Sequence, residues 1–547
     1  MPDRSLARLS VWQATGIFLV LTLVLTWPQV IAMTSVPDHV DSYFNLWRIA
    51  WIAHQIVADP ARLFDANIYY PALNTLAFSD AILLEGLVAA PFIWIGVPTV
   101  IVGNLLVLAG FVASGVAMFV LVRDLTGYSW AGILAGIVFT FAPFRFDHYM
   151  HLEMLWAQWM PLALWSLHRV LVSGRWRDGL LTGLFIGFQG LSSIYYVAFF
   201  ATTLIAVSGA LVLGRPLAEW RRAMLPLAGG AVIAIVMMAP YARVYPRAAA
   251  QVGERSAGET ILYGAGPKHY LAATPDNLIY GSVTSPLGRH EKYLFPGFIT
   301  LALIVIGLWP PIDRTRLAYA LALAWAIDVS FGVRGLTLGW LRDHIVIFRA
   351  LRVTARAGQI VLLAASVLAG FGLARVWRRV ILPVGPSRRP VAIAAGLCLL
   401  LTAEFLVRPR VLVPVQTQAT PVYEWLRAQP PGVVAEVPLP VPPNELSEYS
   451  GHYNFLSTFH WRPMVNGYSG TFPDDYVRLM LRVRDFPSDP ALAALRATDV
   501  RYLIVHERFL GRDRYEAITA ALDVRLDLEG FGPFEEGETR AAAYRMR

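Results

Sequence analysis

Apolar runs of about 20 residues recur along the first 408 residues, and they constrain the fold more than any other feature of the chain. A helix of about 20 residues crosses the hydrocarbon core of a bilayer, where unpaired backbone groups find no water. Charged residues make up 15% of the chain, against roughly 25% in soluble globular proteins. These features predict an α-helical polytopic membrane protein.

The runs predict eleven transmembrane helices. They lie at 11–33, 98–122, 127–143, 154–172, 177–193, 194–214, 224–244, 294–311, 317–333, 358–376 and 390–408. A further run, 81–97, carries Glu85 and Pro91, and we assign it to the outer interface. With this assignment the arginine clusters fall on the cytoplasmic side, as the positive-inside rule requires. The clusters are Arg4/Arg8, Arg123, Arg175/Arg177, Arg215/Arg221/Arg222, Arg314/Arg316 and Arg375/Arg378/Arg379/Arg388/Arg389.

This topology predicts a cytoplasmic N-terminus, an extracytoplasmic C-terminus and a place in the inner (plasma) membrane of a bacterium. The net charge of +8 does not indicate a nucleic-acid partner, because short loops between apolar runs hold the arginines. The single cysteine, Cys398, excludes an intramolecular disulfide.

The chain changes character after residue 408. Residues 1–408 form the predicted transmembrane domain, in which the outer loop 34–97 carries interfacial helices, and residues 409–547 form an extracytoplasmic α/β domain. Strand-like segments at Val433–Val437, Val500–His506 and 544–546 alternate there with helix-like ones at 421–427, 474–484, 490–496 and 514–522.

Two acids follow the first predicted span. Asp38 and Asp41 precede an apolar, aromatic segment, 42–55, which we expect to be an amphipathic helix on the interface. Asp41 would then stand at the membrane surface, where a lipid-linked substrate presents its headgroup. A solvated loop acid or a helix cap explains Asp41 equally well at this point. Glu85, in an apolar run, indicates a site or a buried partner, unless an interfacial helix points it at water.

A second polar cluster ends the third span. It contains Arg145, Asp147, His148, His151 and Glu153. His148 and His151 are three residues apart and can share a helix face, so a divalent metal held by His148, His151 and Glu153 is one interpretation. A polar wall that binds a sugar phosphate is another, and simple capping of the span is the third.

A third cluster consists of arginines before the span at 358–376. Arg349, Arg352 and Arg356 lie on the predicted outer side, against the positive-inside trend. Arg352 and Arg356 are four residues apart, and on a helix they would form one cationic fork suited to phosphate. Anchoring to lipid headgroups is the alternative.

The order of these features resembles the GT-C superfamily of polyprenyl-phosphate-sugar-dependent glycosyltransferases. A single first span is followed by a long outer loop that opens with an acid, and many spans follow. The segments LFDANIYYP, TLAFSD and RFDHYMHLE are also similar to a broad group of bacterial membrane proteins. The resemblance implies that Asp41 is the general base of an inverting transfer and that Asp147 or His148 contacts donor or acceptor. It also implies that Arg352 and Arg356 steady the leaving phosphate. The HxxHxE pattern departs from many relatives and leaves metal dependence open.

The expected function is therefore transfer of a hexosyl or pentosyl unit from a polyprenyl-phosphate carrier to an extracytoplasmic glycan, lipid or protein acceptor. The expected substrate-binding residues are Asp38, Glu85, Arg145, Asp147, His148, His151, Arg352 and Arg356. A transporter or flippase of lipid-linked saccharides would instead show mid-span charges and a repeat of spans. A non-catalytic assembly protein that keeps the fold is the third candidate.

Overall fold

A computed structural model describes residues 9–214, 216–253, 257–381, 389–441 and 449–547. Arg4, Arg8, Arg215 and Arg388, on which part of the predicted topology depends, lie outside these residues. Within them, the helices of seven residues or more are α1 Val11–Leu25, α2 Val40–Ala58, α3 Leu83–Trp94, α4 Thr99–Thr126, α5 Ser129–Phe141, α6 Trp159–Ser173, α7 Trp176–Ser192, α8 Ile194–Val212, α9 Leu217–Val252, α10 Ala257–Tyr263, α11 Phe298–Gly307, α12 Arg314–Ser330, α13 Leu338–His344, α14 Gly358–Val376, α15 Arg389–Glu404, α16 Pro421–Ala428, α17 Ser450–Leu456, α18 Asp474–Arg482, α19 Asp489–Arg496 and α20 Arg512–Asp523.

Each of the eleven predicted spans contains a helix. Five helical segments are long and apolar enough to cross a bilayer: Thr99–Thr126, Ser129–Asp147, Ile194–Val212, Trp220–Val252 and Thr354–Val380. Helices α1, α3 and α11 are apolar but shorter, while α6, α7, α12 and α15 have 15 to 17 residues. The chain is an integral membrane protein, and the total of eleven spans stays a prediction.

The chain divides into two compact units. Unit 1 consists of the described residues within 1–31, 105–239 and 254–410, and unit 2 of those within 32–104, 240–253 and 411–547. The loop 34–97, predicted as part of the transmembrane domain, lies in one compact unit with the residues after 410. Local sequence did not indicate this, because the contacts that join these segments are more than 300 residues apart in the chain.

Unit 1 is built around α14. Sixteen of its residues, among them Ile360, Leu363 and Leu368, are buried, as expected for a helix that is apolar on every side. Helices α5, α11 and α12 pack against it. Its N-terminal end carries Arg356 into the polar cluster described below.

Close helix packing in unit 1 depends on small residues. A Cβ atom placed on Gly183 of α7 would lie 1.8 Å from the carbonyl oxygen of Gly230 in α9. No side chain fits at that distance, so the two backbones touch there. Small residues allow the close approach that van der Waals packing between membrane helices needs.

The described residues of unit 2 form two sheets. The short strands β1 Ser35–Pro37 and β2 Leu412–Pro414 pair in antiparallel fashion. The second sheet has the order β3-β4-β6-β5, with β3 parallel to β4 and the other pairs antiparallel. Its strands are β3 Val433–Val437, β4 Val500–His506, β5 Leu528–Glu536 and β6 Thr539–Met546. The predicted C-terminal sheet domain is confirmed, with β5 as a strand that the sequence analysis missed.

A buried ion network joins three of these strands. His506 on β4 contacts Glu436 on β3 through Nε2 (2.7 Å) and Glu536 on β5 through Nδ1 (2.9 Å). The three side chains are at most 1% exposed. Burial alone would lower the pKa of His506, but the two carboxylates raise it to about 9. The imidazolium is therefore a charged tie within the sheet at neutral pH.

We predict that the thermal unfolding midpoint of the purified chain falls as the pH rises from 7 to 10. The folded pKa of His506 lies above its unfolded value of about 6.5, so its contribution is complete below 6.5 and is lost as the pH rises through about 9. In His506→Gln this part of the pH dependence should disappear, and stability at pH 7 should drop by about 3 kcal/mol. An unchanged pH profile in the variant would contradict the charged tie.

Candidate functional site

In unit 1, the second predicted cluster follows α5 in a compact turn. Arg145 is 1% exposed and donates hydrogen bonds to the carbonyl oxygens of Met154 (2.6 Å) and Leu155 (2.8 Å). Its guanidinium therefore braces the segment that returns after His151. The structure gives Arg145 the position of a supporting residue, beneath the residues that present polar atoms.

Asp147 joins this turn to a loop that lies 140 residues further along the chain. Its Oδ1 lies 3.0 Å from Nδ1 of His290, and its Oδ2 accepts a hydrogen bond from the backbone N–H of Glu291 at 2.7 Å. Glu291 has φ +71°, a left-handed conformation that costs energy in a residue other than glycine. The loop is thus held in a strained shape that places the Glu291 carboxylate inside the cluster.

Arg356 holds that carboxylate. Its Nη2 lies 2.6 Å from Oε1 of Glu291, and its Nε lies 3.1 Å from Oε2. Both side chains are largely buried, at 12% and 7% exposed. Burial would raise the pKa of Glu291, but the Arg356 guanidinium and His148 lower it well below its usual range. Glu291 is therefore an ionised carboxylate inside the unit.

His148 and His151 face the same carboxylate. Their Nδ1 atoms lie 3.3 Å apart, and Nε2 of His148 lies 3.5 Å from Oε2 of Glu291. His148 is 1% exposed, and this Nε2 makes no hydrogen bond to the described residues.

One ligand atom from each of His148, His151 and Glu291 lies within 4.8 Å of the others, a spacing that a divalent ion with bonds near 2 Å could draw together. Glu291 occupies the place that the sequence analysis gave to Glu153. The local HxxHxE pattern named the nearest acid, whereas the fold brings in a distant one.

The two arginines predicted to form one fork have different surroundings. Arg352 precedes the helical turn that begins at Thr354, so it does not share a helix face with Arg356. Its guanidinium lies over the ring of Tyr263 at 5.1 Å, and its backbone N–H donates to the hydroxyl of Tyr195 at 2.7 Å. Arg356 is ion-paired with Glu291, whereas the Arg352 side chain is partly exposed.

In unit 2, Asp41 lies in the first turn of α2. The helix begins at Val40, two residues before the predicted start, and His39 caps it by accepting the N–H of Asp41 on Nδ1. Tyr468 donates its hydroxyl to Oδ1 of Asp41 at 2.8 Å, and Nδ1 of His39 lies 3.4 Å from Oδ2. The carboxylate is 18% exposed. A negative charge is favoured at this end of a helix.

Helix α2 differs from the predicted interfacial helix. Residues 42–53 are all buried, including Trp47 and Ile52 at 0% exposed. Helices α3 and α17 pack against it. Its aromatic residues therefore form part of the core of unit 2, and a rigid core positions the first turn that carries Asp41.

The remaining predicted site residues of unit 2 are Asp38, which precedes α2 in the chain, and Glu85, which follows it. Asp38 is exposed. Glu85 is 0% exposed and occupies the first turn of α3. Arg48, which is also buried, donates a hydrogen bond to the carbonyl oxygen of Asp80 at 2.5 Å. The hydroxyl of Tyr245 donates to the carbonyl oxygen of Ser79 at 3.0 Å. Both bonds hold the segment that precedes α3.

Sequence reasoning missed His290 and Glu291. Their signal in the sequence is the charged stretch GRHEKY directly before the apolar run at 294–311, which has no spacing relation to the HxxH pattern. Tyr468 belongs to a loop, STFHWRPMVNGYSG, that is dense in polar aromatic residues, but no local pattern pairs it with Asp41.

No family model and no curated protein sequence match the chain, but solved structures do. ArnT from Cupriavidus metallidurans in the apo state matches with 13% identity, 98% of each chain covered and a TM-score of 0.50. ArnT bound to undecaprenyl phosphate matches with 13% identity, 98% and 97% coverage and a TM-score of 0.48. The archaeal oligosaccharyltransferase AglB from Archaeoglobus fulgidus, in complex with an inhibitory peptide and a dolichol-phosphate, matches with 13% identity, covering 96% of this chain and 74% of its own, at a TM-score of 0.49. The likeness to apo ArnT confirms the predicted GT-C fold.

We predict that Glu291→Gln lowers the free energy of unfolding by about 3 kcal/mol, because it leaves a buried guanidinium without its counter-charge. The double variant Glu291→Gln/Arg356→Met removes both charges and should recover part of that loss. Asp475→Asn is the control, since its ion pair with Arg478 is exposed and contributes under about 1 kcal/mol. Denaturation of the purified variants in detergent measures all three. Equal stability of Glu291→Gln and Asp475→Asn would contradict the role of the ion pair.

Proposed function

We propose that this chain is a membrane glycosyltransferase that moves one sugar from a polyprenyl-phosphate carrier to an acceptor outside the cytoplasm. The GT-C fold supports the class of reaction. The observation that carries the proposal is the Asp41 carboxylate, held at the start of a buried helix by the Tyr468 hydroxyl at 2.8 Å. The proposal includes the predicted topology, with a cytoplasmic N-terminus and an extracytoplasmic C-terminal domain in a bacterial inner membrane.

Asp41 acts as the general base. It takes the proton of the acceptor hydroxyl, and the oxygen attacks the anomeric carbon of the donor sugar. The bond from that carbon to the carrier phosphate breaks, and the phosphate leaves with the bonding electrons. A single displacement of this kind inverts the anomeric configuration. Tyr468, which donates to the carboxylate, and His39, which accepts the backbone N–H of Asp41, are positioning residues.

Arg352 binds the carrier phosphate in this proposal. Its guanidinium is partly exposed, with Tyr263 as an aromatic backing, and arginine suits the planar, charged contacts that phosphate makes. Arg356 acts indirectly, because it holds Glu291 and thereby the shape of the polar cluster.

The proposed metal site consists of His148, His151 and Glu291. The buried Nε2 of His148 makes no hydrogen bond to the described residues, as expected of a ligand atom. Arg356, in contrast, already balances the carboxylate charge. A bound divalent ion would supply positive charge for phosphate oxygens.

We predict that Asp41→Asn lowers the rate of sugar transfer at least about 100-fold, because the amide cannot accept the acceptor proton. The assay uses membranes supplied with radiolabelled polyprenyl-phosphate sugars. Asp59→Asn is the matched control, since Asp59 ends the same helix and is 45% exposed. The transfer rate of Tyr468→Phe should lie between the rates of Asp41→Asn and Asp59→Asn. Transfer by Asp41→Asn at the wild-type rate would refute the assignment of the base.

We predict that Zn²⁺ or Mn²⁺ added to the metal-free protein raises its unfolding temperature. His148→Ala and His151→Ala should abolish the shift, because each removes one of the three ligands. His168→Ala should retain it, since His168 contacts Tyr319 outside the cluster. An equal shift in all the variants would place the ion elsewhere.

A further inference from the structure

Unit 2 contains a small cavity, which we call the Arg508 pocket. It has a volume of about 220 Å³, and its lining includes Tyr43, Gln416, His452, Phe455, Arg508 and Phe509. Pockets for drug-sized ligands measure roughly 300–1,000 Å³. The Arg508 pocket is therefore suited to a ligand no larger than one sugar ring.

Two polar atoms of the lining lack partners among the described residues. Nε of Arg508 and Nδ1 of His452 are buried and make no hydrogen bond there. A buried donor without an acceptor costs about 1–3 kcal/mol. A bound molecule with several hydroxyl oxygens would remove that cost.

Aromatic rings form the wall of the pocket. The rings of Tyr43 and His452 have centroids 3.9 Å apart, and Phe509 lies 5.6 Å from His452. The guanidinium of Arg508 lies 4.3 Å from the centroid of Phe509. Flat apolar faces beside fixed hydrogen-bond donors are the surfaces on which the C–H face of a pyranose ring packs.

The lining of the pocket includes a cationic guanidinium, that of Arg508, and a neutral imidazole, that of His452. Burial and the nearby Arg508 lower the pKa of His452 to about 4, so its imidazole is neutral at physiological pH. Burial raises the pKa of Tyr43, so its hydroxyl stays protonated and can both donate and accept. A guanidinium that donates beside a hydroxyl that does both matches vicinal hydroxyls of a sugar.

We infer that the Arg508 pocket binds one pyranose residue of a saccharide acceptor. The inference rests on the proposed transfer function and names its acceptor class. Arg508 donates to ring hydroxyl oxygens, and the Tyr43 and Phe509 rings pack on the sugar face.

The pyranose in the Arg508 pocket is a neighbour, within the acceptor saccharide, of the sugar unit that reacts. Residues two apart on a helix point to different sides, and the surroundings of α2 agree. Asp41 contacts Tyr468, whereas Tyr43 packs against His452 and Phe455. Both groups belong to the first turns of one helix, so a saccharide of a few residues could reach from one to the other.

The test measures binding of methyl pyranosides (neutral, amino and uronic forms) to the full chain in detergent, by saturation-transfer NMR. At least one should bind saturably, and Arg508→Gln should raise its dissociation constant about tenfold, equivalent to one charged hydrogen bond. Gln416→Ala is a second variant that also removes a polar lining group. Arg484→Gln is the matched control, because Arg484 is 60% exposed, and unfolding temperatures verify that all variants fold. The absence of saturable binding to the wild type, or equal binding by Arg508→Gln, overturns the inference.

A second measurement separates this inference from the proposed function. Asp41→Asn should bind the same pyranoside as tightly as the wild type while losing transfer. In the transfer assay, Arg508→Gln should raise the KM for an oligosaccharide acceptor about tenfold with kcat nearly unchanged. Transfer that survives in Asp41→Asn would refute the base and leave the sugar site standing, whereas an unchanged KM in Arg508→Gln would refute the sugar site alone.

Discussion

The ion pair between Arg356 and Glu291 is the interaction on which the polar cluster of unit 1 depends. It joins the start of α14, the central helix of the unit, to a loop whose backbone is strained at Glu291. A charge buried in this way is tolerated only when it is paired and hydrogen-bonded. The pair in turn faces His148, and the backbone N–H of Glu291 holds Asp147. The ion pair and the two contacts of Asp147 together hold the loop in a conformation that costs energy.

In unit 2, a contact distant in the chain and a buried helix hold the Asp41 carboxylate. Asp41, at the start of a helix, accepts a hydrogen bond from Tyr468, more than 400 positions later in the chain. The helix beneath it is covered by protein along residues 42–53. The proposed role of Asp41 as general base requires a carboxylate that stays within hydrogen-bond reach of the proton it takes. The buried helix provides that rigidity, and an exposed interfacial helix would provide less.

The features that the sequence predicted are those with a local signature. Apolar runs predicted the helices, and short segments rich in valine and other apolar residues predicted β3 and β4 with the bounds that the structure shows. Strand β5 escaped because LEGFGPFEE contains Gly530, Gly532 and Pro533, which normally mark turns. Glu291 escaped for a different reason, since only the fold brings it to His148 and His151. The i, i+4 spacing of Arg352 and Arg356 predicted one helix face, but the helical turn begins between them.

The pairing of β1 with β2 bears on how the chain tolerates rearrangement. The backbone immediately before His39 is hydrogen-bonded to residues 412–414, and the hydroxyl on Asp41 comes from the same C-terminal part of the chain. The C-terminal 137 residues are therefore no detachable appendage. Exchanging them for the corresponding piece of another protein would also exchange the environment of an acid near the opposite end of the sequence. Chimaeras should therefore be joined with residues 32–104, 240–253 and 411–547 transferred together.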